Sequence, residues 1–374
     1  MKIECIKEKL REAVAQAERA AGKNLALPVL SCVLLESADK GVRVKATNLD
    51  LGIEIVVPAK ITGKGAVAVS GSLLYNYLSV LRGSDVIALS TTDATDSKNV
   101  NRHLTVSSDS TNTLIKTQAT EEFPDIPRVD IEHSYTVDVT AFFEGIRTVL
   151  YCAAVTDIKP EIASIYVYSI KDELVFVATD SFRLAEKRVR VNGLEDQKGF
   201  LLPYKNALEV VRILGERTGS IEVGYNSNQV AFLMDGLYLT SRLVGGAFPP
   251  YQEIIPREFT TSATVLKKDS IDALKLTTLF TDKFNRISLK VLPKEGLFEI
   301  ESKNSDTGEN TVRIDAALEG NNIAHSFNAK LILDCFQSIS EDSVSFLFAG
   351  EGKPMVIKPI GDASFCYLVM PMVG

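Results

Sequence analysis

The chain has 374 residues, of which 45% are hydrophobic and 24% are charged, and its formal net charge is −7. Such a composition is typical of a globular protein of two or three domains, and it excludes the collagen-like, disordered and disulfide-scaffold classes. No apolar run approaches the roughly 18 residues of a membrane span, and the amino terminus lacks the pattern of a signal peptide. We therefore expect a cytoplasmic protein that has no contact with a membrane and keeps its five scattered cysteines as free thiols.

Motifs for catalysis or metal binding are not evident in this sequence. The three histidines form no pair at metal-binding spacing, and the cysteines form no Cys-x-x-Cys pair. The run Gly350-Glu351-Gly352-Lys353 resembles a phosphate-binding loop, but Pro354 follows where Ser or Thr would hold Mg²⁺, so we expect a turn there. The sequence therefore predicts no metal, no cofactor and no enzymatic activity.

The main feature of the chain is an internal repeat of about 125 to 132 residues, present in three copies. Each copy opens with apolar residues at the spacing of an amphipathic helix, which predicts helices over residues 6–23, 139–153 and 267–280. A hairpin follows in each copy, and then a second helix. The second helices are predicted over residues 73–82, 205–214 and 330–339, with starts 132 and 125 residues apart.

Proline-rich segments close the first two copies, at residues 123–127 and 248–256. Proline fixes φ and removes a backbone donor, so these segments end sheets and act as stiff spacers. We therefore predict an α+β protein of three domains, each with two helices and several antiparallel strands. The predicted domains cover residues 1–124, 128–250 and 256–374.

Charge is distributed unevenly between the predicted helices and the rest of the chain. The six helical segments sum to +5, which leaves −12 for the remainder. Basic helices on an acidic body suit weak, sliding contact with the phosphates of nucleic acid, and such contact depends steeply on salt. Ordinary solvated helix faces explain the same distribution, so charge alone leaves both interpretations open.

Four segments of the chain match the sequence pattern of one known family. They are Leu27-Pro28-Val29-Leu30, Ala178-Thr179-Asp180-Ser181-Phe182-Arg183-Leu184-Ala185, Phe248-Pro249-Pro250-Tyr251 with Ile255-Pro256, and Val369-Met370-Pro371-Met372. Through these segments and its three repeats, the whole chain resembles the bacterial β sliding clamps, the β subunits of replicative DNA polymerase III. The resemblance implies a DNA-clamp fold, with two helices packed on antiparallel sheets in each of three domains. It also implies a head-to-tail homodimer, a six-domain ring that encircles double-stranded DNA as a non-catalytic processivity factor.

Twelve helices would line such a ring, and their dimensions fit DNA. Helices spaced about 10 Å apart give a circle of helix axes about 38 Å across. Removing one helix width of about 10 Å leaves a hole of roughly 28 Å, which admits a duplex with room for water. Because such a ring holds DNA by enclosure, it needs no tight binding, and a net negative charge is compatible with it. The resemblance assigns ATP to the clamp loader and no nucleotide to this subunit.

The resemblance further implies a pocket between the second and third domains, where the replicative polymerase, the clamp loader and repair proteins dock through short peptide motifs. Methionine adapts to many ligands, and aliphatic and proline side chains suit a leucine or aromatic anchor. Thr179 is echoed in the first copy by Thr47, so it also fits a role in a turn. Arg183 has no echo, which favours a role special to the second copy. By position in the family pattern, the pocket residues are Ile162, Thr179, Ser181, Phe182, Arg183, Leu184, Pro249, Ile254, Pro354, Met370, Pro371 and Met372.

Two further sets of residues are implied by position in the family pattern. The implied dimer contact joins two segments. One is an edge strand over residues 113–117, which contains Thr113 and Ile115, and the other is the region of Thr278 and Leu279. For the side that faces DNA, Lys205 and Arg212 lie seven residues apart on one helix face and match basic positions in the family, whereas the further candidates also fit ordinary surface residues: Lys23, Arg82, Arg147 and Lys275.

The sequence departs from the family pattern at three places. Phe182 stands where the family usually has His, and Glu253 stands where some relatives carry a basic residue. The chain ends in Val373-Gly374 instead of a basic or bulky pair. Because Phe182 removes a hydrogen-bond donor and enlarges the apolar wall, we expect a shifted preference for the partner motif.

Two other functions compete with the clamp. An enzyme built around Asp180, Ser181 and Arg183 lacks a histidine or other base nearby in the sequence. A repeat-built scaffold that binds peptides but never encircles DNA shares the same pocket, so only DNA topology discriminates between it and a clamp.

Overall fold

The computed structural model describes residues 1–22, 27–83, 85–93, 102–156 and 158–372. The α-helices of this part of the chain are α1 (Lys7–Ala20), α2 (Gly71–Val80), α3 (Val139–Leu150), α4 (Tyr204–Leu214), α5 (Lys267–Thr278) and α6 (Ala329–Cys335). Its strands are β1 (Lys2–Ile6), β2 (Cys32–Ala38), β3 (Gly41–Thr47), β4 (Leu51–Val57), β5 (Ala59–Gly63), β6 (Ala66–Ser70), β7 (Val86–Asp93), β8 (Arg102–Ser107), β9 (Asn112–Gln118), β10 (His133–Asp138), β11 (Ser164–Ile170), β12 (Glu173–Thr179), β13 (Arg183–Arg190), β14 (Gln197–Pro203), β15 (Ser220–Tyr225), β16 (Gln229–Met234), β17 (Leu237–Arg242), β18 (Thr261–Leu266), β19 (Arg286–Leu292), β20 (Leu297–Asn304), β21 (Gly308–Arg313), β22 (Ala316–Gly320), β23 (Ile323–Asn328), β24 (Ser343–Phe348), β25 (Met355–Pro359) and β26 (Phe365–Val369).

The helices follow the predicted amphipathic stripes. In α1, the side chains of Leu10, Val14 and Ala17 are fully buried, at the spacing that the sequence predicts. The prediction for the last helix is too long, because α6 ends at Cys335 and the chain tightens into a 3₁₀ turn over Phe336–Ser338. Between β24 and β25 the predicted turn is present, since Gly350 and Gly352 have φ values of +113° and +68°.

The first and third copies share a contact at the start of their first helices. The Nζ of Lys7 donates to the carbonyl of Leu81 at 2.9 Å, and the Nζ of Lys267 donates to the carbonyl of Ile339 at 2.8 Å. In both copies, the start of the first helix is thus tied to the chain just after the second helix. The sequence repeat is therefore a structural repeat.

The chain forms two compact units, Met1–Val139 with Arg212–Leu243 and Thr140–Val211 with Val244–Gly374. The first unit contains a thirteen-stranded sheet in the order β10-β15-β16-β17-β4-β3-β2-β6-β9-β8-β7-β1-β5. The second contains a nine-stranded sheet, β14-β11-β12-β13-β26-β25-β24-β18-β22, and a four-stranded sheet, β21-β20-β19-β23. The units follow the sheets and not the sequence repeats, so the boundaries of the three predicted domains stay a prediction.

Each large sheet joins two copies of the repeat by the same kind of strand pair. In the first unit β4, which follows the first hairpin of its copy, pairs antiparallel with β17, the last strand of the second copy, and Ile53 lies opposite Leu239. In the second unit β13 pairs in the same way with β26, and Ala185 lies opposite Tyr367. Ile53 and Ala185 hold the same place in their copies, so the two strand pairs share one register.

Candidate functional site

A tight turn joins β12 to β13 and forms the first part of the candidate site. The Oγ1 of Thr179 donates to the carbonyl of Arg183 at 2.7 Å. The Oδ1 of Asp180 accepts from the backbone N–H groups of Phe182 at 2.9 Å and of Arg183 at 3.0 Å. Ser181 has a φ of +78°, in the left-handed region that a non-glycine residue seldom adopts. The side chains of Thr179 and Asp180 therefore act within the turn itself.

The first copy contains the same turn between β3 and β4. The Oγ1 of Thr47 donates to the carbonyl of Leu51 at 2.9 Å, and the Oδ1 of Asn48 accepts from the N–H of Leu51 at 2.7 Å. Leu49 has a φ of +79°, which matches Ser181. The echo in the sequence thus reflects a shared turn, and what distinguishes the second copy is the residue at its tip.

Phe182 is that residue, and its side chain is 67% exposed. Its carbonyl accepts from the N–H of Met370 at 2.8 Å, which continues the pairing of β13 with β26 by one step. Because the rigid turn keeps this large apolar ring exposed to solvent, the ring is available for contact with a partner.

Arg183 points away from that exposed surface and is only 13% exposed at its side chain. Its Nε donates to Asp180 Oδ2 at 2.9 Å, and its Nη1 donates to Asp334 Oδ2 at 2.6 Å. The guanidinium carbon also lies 5.5 Å from the centre of the Tyr151 ring. Arg183 thus ties the turn to α6, and two of its donors bind carboxylates of the same chain.

The chain between β17 and β18 forms a second part of the site. Tyr251 is buried to 1% exposure, whereas Ile254 is 46% exposed. The N–H of Tyr251 donates to the carbonyl of Pro249 at 2.7 Å, and the N–H of Ile254 donates to the carbonyl of Tyr251 at 3.0 Å. This segment packs on a core cluster that contains Leu184 and, at its rim, Met370. Pro249 and Ile254 are therefore fixed beside the same core as the turn.

The carboxyl-terminal end of the described chain supplies a third part. Met370, Pro371 and Met372 follow β26, and all three are half-buried. The residue after Pro354 is Met355, which lies opposite Val369 in the pairing of β25 with β26. Pro354 and the two methionines therefore share one end of the sheet with the start of β13.

Two of the expected pocket residues are placed differently from the rest. Leu184 is 2% exposed and lies in the core, so it forms the floor of this surface and not its wall. Ile162 is half-buried and precedes β11 by two residues, and β11 pairs with β12, whose last residue is Thr179.

Two residues of the site were missed by sequence reasoning. Tyr251 was visible within the Phe-Pro-Pro-Tyr run, but Asp334 had no local signal.

The basic residues expected to face DNA are exposed wherever they are described. Lys23 lies outside the described residues. Arg147 donates from Nε and Nη2 to Glu144 at 3.0 and 2.5 Å, so its charge is already compensated on its own helix. The exposed residues are Arg82, Arg147, Lys205, Arg212 and Lys275.

The residues expected at a dimer contact lie on one strand and one helix end. Ile115 is 4% exposed and Thr113 is half-buried, both on β9. Leu279 follows α5 and is 69% exposed, while Thr278 donates its hydroxyl to the carbonyl of Leu274. The predicted free edge over residues 113–117 is one residue too long, because Thr117 pairs with Val69 of β6.

Within the described residues, no group of three or more His, Cys, Asp or Glu side chains is arranged to hold a metal ion. Among the helices of those residues, none combines the length and the apolar character of a membrane span.

Comparison with known proteins gives matches along almost the whole chain. Residues 1–127, 136–250 and 252–373 match the models of the N-terminal, central and C-terminal domains of the DNA polymerase III beta subunit. The chain is 28% identical to the beta sliding clamp of Synechocystis, over 100% of this chain and 99% of that protein. The crystal structure of the Thermotoga maritima DNA polymerase III beta subunit is 26% identical, with a TM-score of 0.91 over 100% of this chain and 99% of that one. The Bacillus subtilis sliding clamp has 21% identity and a TM-score of 0.92, with coverage of 100% and 99%.

Proposed function

The chain belongs to the family of the DNA polymerase III beta subunit, the bacterial sliding clamps, and on that premise we propose that two copies close head to tail into a ring around duplex DNA. It has the three-domain clamp fold of the family, and its function is that of a DNA polymerase processivity factor. We further propose that it is not itself an enzyme, that it needs no cofactor and that it works in the cytoplasm, where the polymerase copies the chromosome.

The observation that carries the ring is a pair of open strand edges. Within each unit, the strand after the first hairpin of one copy pairs with the last strand of the next copy, as β4 does with β17 and β13 does with β26. In the described chain, one strand of each kind has no such partner: β21, which follows the first hairpin of the third copy, and β9, the last strand of the first copy. The edge of β9 opposite β8 is open from Asn112 to Lys116, and β21 pairs there with β20 alone. A second copy placed head to tail satisfies both edges twice and closes the assembly.

The pleat of the two strands selects a register for this contact. On β9, Thr113 and Ile115 lie opposite the buried Val106 and Leu104 and therefore face the core. On β21, Asn310 and Val312 lie opposite Ser302 and Ile300 and also face the core. Because a shift by one residue turns every side chain to the other face, core-facing residues must lie opposite one another.

The register of the two observed strand pairs then sets Thr113 opposite Asn310 of the partner subunit. The Oδ1 of Asn310 is buried and accepts no hydrogen bond within the described residues. This is expected for a strand edge whose partner strand belongs to another subunit. One step along, Leu114 lies opposite Glu309 of the partner subunit, so Lys116 is the diagonal neighbour of Glu309 on the same face of the strand pair. The side chains of Lys116 and Glu309 are exposed, so this contact gains a diagonal cross-strand pair of opposite charges.

The helices support the same contact. In the first unit, the Nε2 of Gln16 on α1 donates to Glu216 at 3.0 Å, and Arg217 donates to the Oε1 of Gln16 at 2.6 Å. The first helix of one copy thus meets the chain just after the second helix of the next copy. By the same plan α5 meets α2 of the partner subunit, where the exposed apolar side chains are Leu276 and Leu279 on one side and Leu73 and Val80 on the other.

The surface of Phe182, Ile254, Pro354 and Met370 is the proposed docking site for peptide motifs of the replicative polymerase, the clamp loader and repair proteins. Two of these side chains, Phe182 and Ile254, are large, apolar and exposed although the backbone beneath them is fixed by hydrogen bonds. Preordered apolar walls reduce the entropy lost on binding, and the flexible Met370 lets one site accept different anchors.

Primer extension on a primed circular template tests the proposal. With the cognate polymerase, clamp loader and ATP, adding this chain should lengthen the products made in one binding event. The paired substitution Phe182→Ala with Ile254→Ala should abolish that gain while leaving the dimer intact by sedimentation. A wild-type chain that binds polymerase peptides but gives no gain would instead favour the peptide-binding scaffold.

A further inference from the structure

We propose that Tyr251 and Glu186 form a buried latch that holds the Pro249–Ile254 segment in the position required for peptide binding. This inference rests on the proposed docking site, since Pro249 and Ile254 are two of its walls. Neither residue of the latch touches that surface directly, so both are positioning residues.

Glu186 lies on β13 and is 6% exposed. A buried carboxylate is costly unless both of its oxygens have partners. Its Oε1 accepts from the Nε of Arg188 at 2.8 Å, and its Oε2 accepts a short hydrogen bond from the hydroxyl of Tyr251. The Tyr251 hydroxyl also lies 2.8 Å from the hydroxyl of Tyr168. Burial first, and the adjacent Glu186 charge second, raise the pKa of Tyr251 far above its ordinary value, which keeps the hydroxyl protonated as a donor.

The rest of the segment is held mainly by contacts between aromatic rings, one stacked and one edge-on. The rings of Phe248 and Tyr166 stack at 5.2 Å with an interplanar angle of 15°, and Phe248 meets Tyr251 edge-on at 6.1 Å. These ring contacts hold the segment against the sheet through buried apolar area. The bond from Tyr251 to Glu186 adds a directional tie to one fixed residue of β13. Because the N–H of Ile254 is bonded to the carbonyl of Tyr251, the exposed wall residue moves with the latch.

The first copy provides a matched comparison at the same place in its strand. Glu54 on β4 is 6% exposed, and its Oε2 accepts from the Nη2 of Arg128 at 2.6 Å. The Arg128 guanidinium also lies 4.0 Å from the centre of the Tyr238 ring. The chain after the first copy is therefore held by an ion pair at the site where Tyr251 holds the chain after the second copy. No residue of the proposed docking site lies on that first segment.

Tyr251→Phe removes the latch hydroxyl while keeping the ring and its packing. The remaining Oε2 of Glu186 loses its donor, which disfavours the native position of the segment. We expect peptide affinity to fall roughly five- to tenfold, in line with the net contribution of one typical hydrogen bond. Exchange of the amide hydrogens of Tyr251, Glu253 and Ile254 should become faster, since their bonds lie within the released segment.

The test compares Tyr251→Phe with Glu54→Gln in the full-length dimer. A fluorescein-labelled peptide that spans the clamp-binding motif of the cognate replicative polymerase reports affinity, and hydrogen–deuterium exchange over residues 249–255 reports the segment. The latch predicts that Tyr251→Phe changes both quantities and that Glu54→Gln changes neither. Equal peptide loss in the two variants would indicate a general structural effect and overturn the proposal, as would wild-type values for Tyr251→Phe.

A further variant separates folding from positioning. Glu186→Gln keeps an acceptor for the Tyr251 hydroxyl, so it should retain more affinity than Tyr251→Phe even where both lower thermal stability. The reverse order would contradict the latch. If the wild-type chain itself does not bind the peptide, the proposed docking site is wrong, and unchanged exchange over residues 249–255 in Tyr251→Phe would then overturn the latch separately.

Discussion

Arg183 donates from Nη1 to the Oδ2 of Asp334 at 2.6 Å, and this ion pair joins the start of β13 to α6 across 151 residues of sequence. The same guanidinium bonds Asp180 within the turn, so one cation holds the turn and the helix together. The pair adds a long-range tie to a turn that its own hydrogen bonds already fix, and the turn has no other side-chain tie to α6 among the described contacts.

Separate substitutions of the two partners, Arg183→Met and Asp334→Asn, should each destabilise the protein by about 2 kcal/mol, since each leaves a partly buried charge without its partner. The double substitution should be hardly worse than either single one, because the second change removes the group that the first left unpaired. Calorimetric melting of the four proteins checks this expectation. Additive losses would show that the two residues act independently.

Phe182→Ala should weaken binding of the polymerase peptide about tenfold, as expected for loss of an aromatic anchor. Thermal stability should hardly change, because the ring is 67% exposed and contributes little to the core. Fluorescence anisotropy measures the affinity, and Ile360→Ala serves as the control, since Ile360 is also exposed but lies away from the site. Equal affinities for Phe182→Ala and Ile360→Ala would remove Phe182 from the docking surface.

The strand register of the proposed ring predicts a charge swap between subunits. Lys116→Glu or Glu309→Lys alone should weaken the dimer roughly three- to tenfold, because like charges then become diagonal neighbours across the strand pair. The double variant should recover most of the wild-type dimer affinity. Analytical ultracentrifugation at low and moderate salt provides the measurement. Failure of the double variant to recover would exclude this register, and an unaffected dimer in all three variants would exclude the strand contact.

The five cysteines should react slowly with thiol reagents in the native protein. Burial raises the pKa of the Cys5 thiol to about 12 and that of Cys366 to about 11, and it raises the pKa values of the other three thiols as well. At pH 8 a thiol of pKa 11 is only about 0.1% thiolate, the reactive form. A timed reaction with Ellman's reagent should release little colour before denaturant is added and five equivalents afterwards. Reactivity should rise with pH, and rapid native release near neutral pH would contradict the buried placement.

Features set by local sequence were predictable. The buried stripe of Leu10, Val14 and Ala17 follows from helical periodicity, and the turn at Thr179 follows from its echo at Thr47. Both depend on residues within a few positions of one another, where spacing determines geometry.

Features set by long-range pairing were not predictable in the same way. The partner of Arg183 on α6 is selected by the fold, and no spacing in the sequence points to Asp334. The latch between Tyr251 and Glu186 likewise exists because the sheet buries a carboxylate that the sequence presents as an ordinary surface charge on a strand. The free edge of β9 ends at Lys116 and not Thr117, since that boundary depends on where β6 begins to pair.

Retention on DNA of defined topology tests the central claim most directly. After loading onto nicked circular DNA by the cognate loader and ATP, the protein should remain bound at high salt, where electrostatic contacts with phosphates are lost. A single cut that linearises the circle should release it, because an encircling ring slides off a free end. Equal retention on circular and linear DNA would contradict encirclement, and absence of retention on both, with a control clamp and loader active, would favour a peptide-binding scaffold.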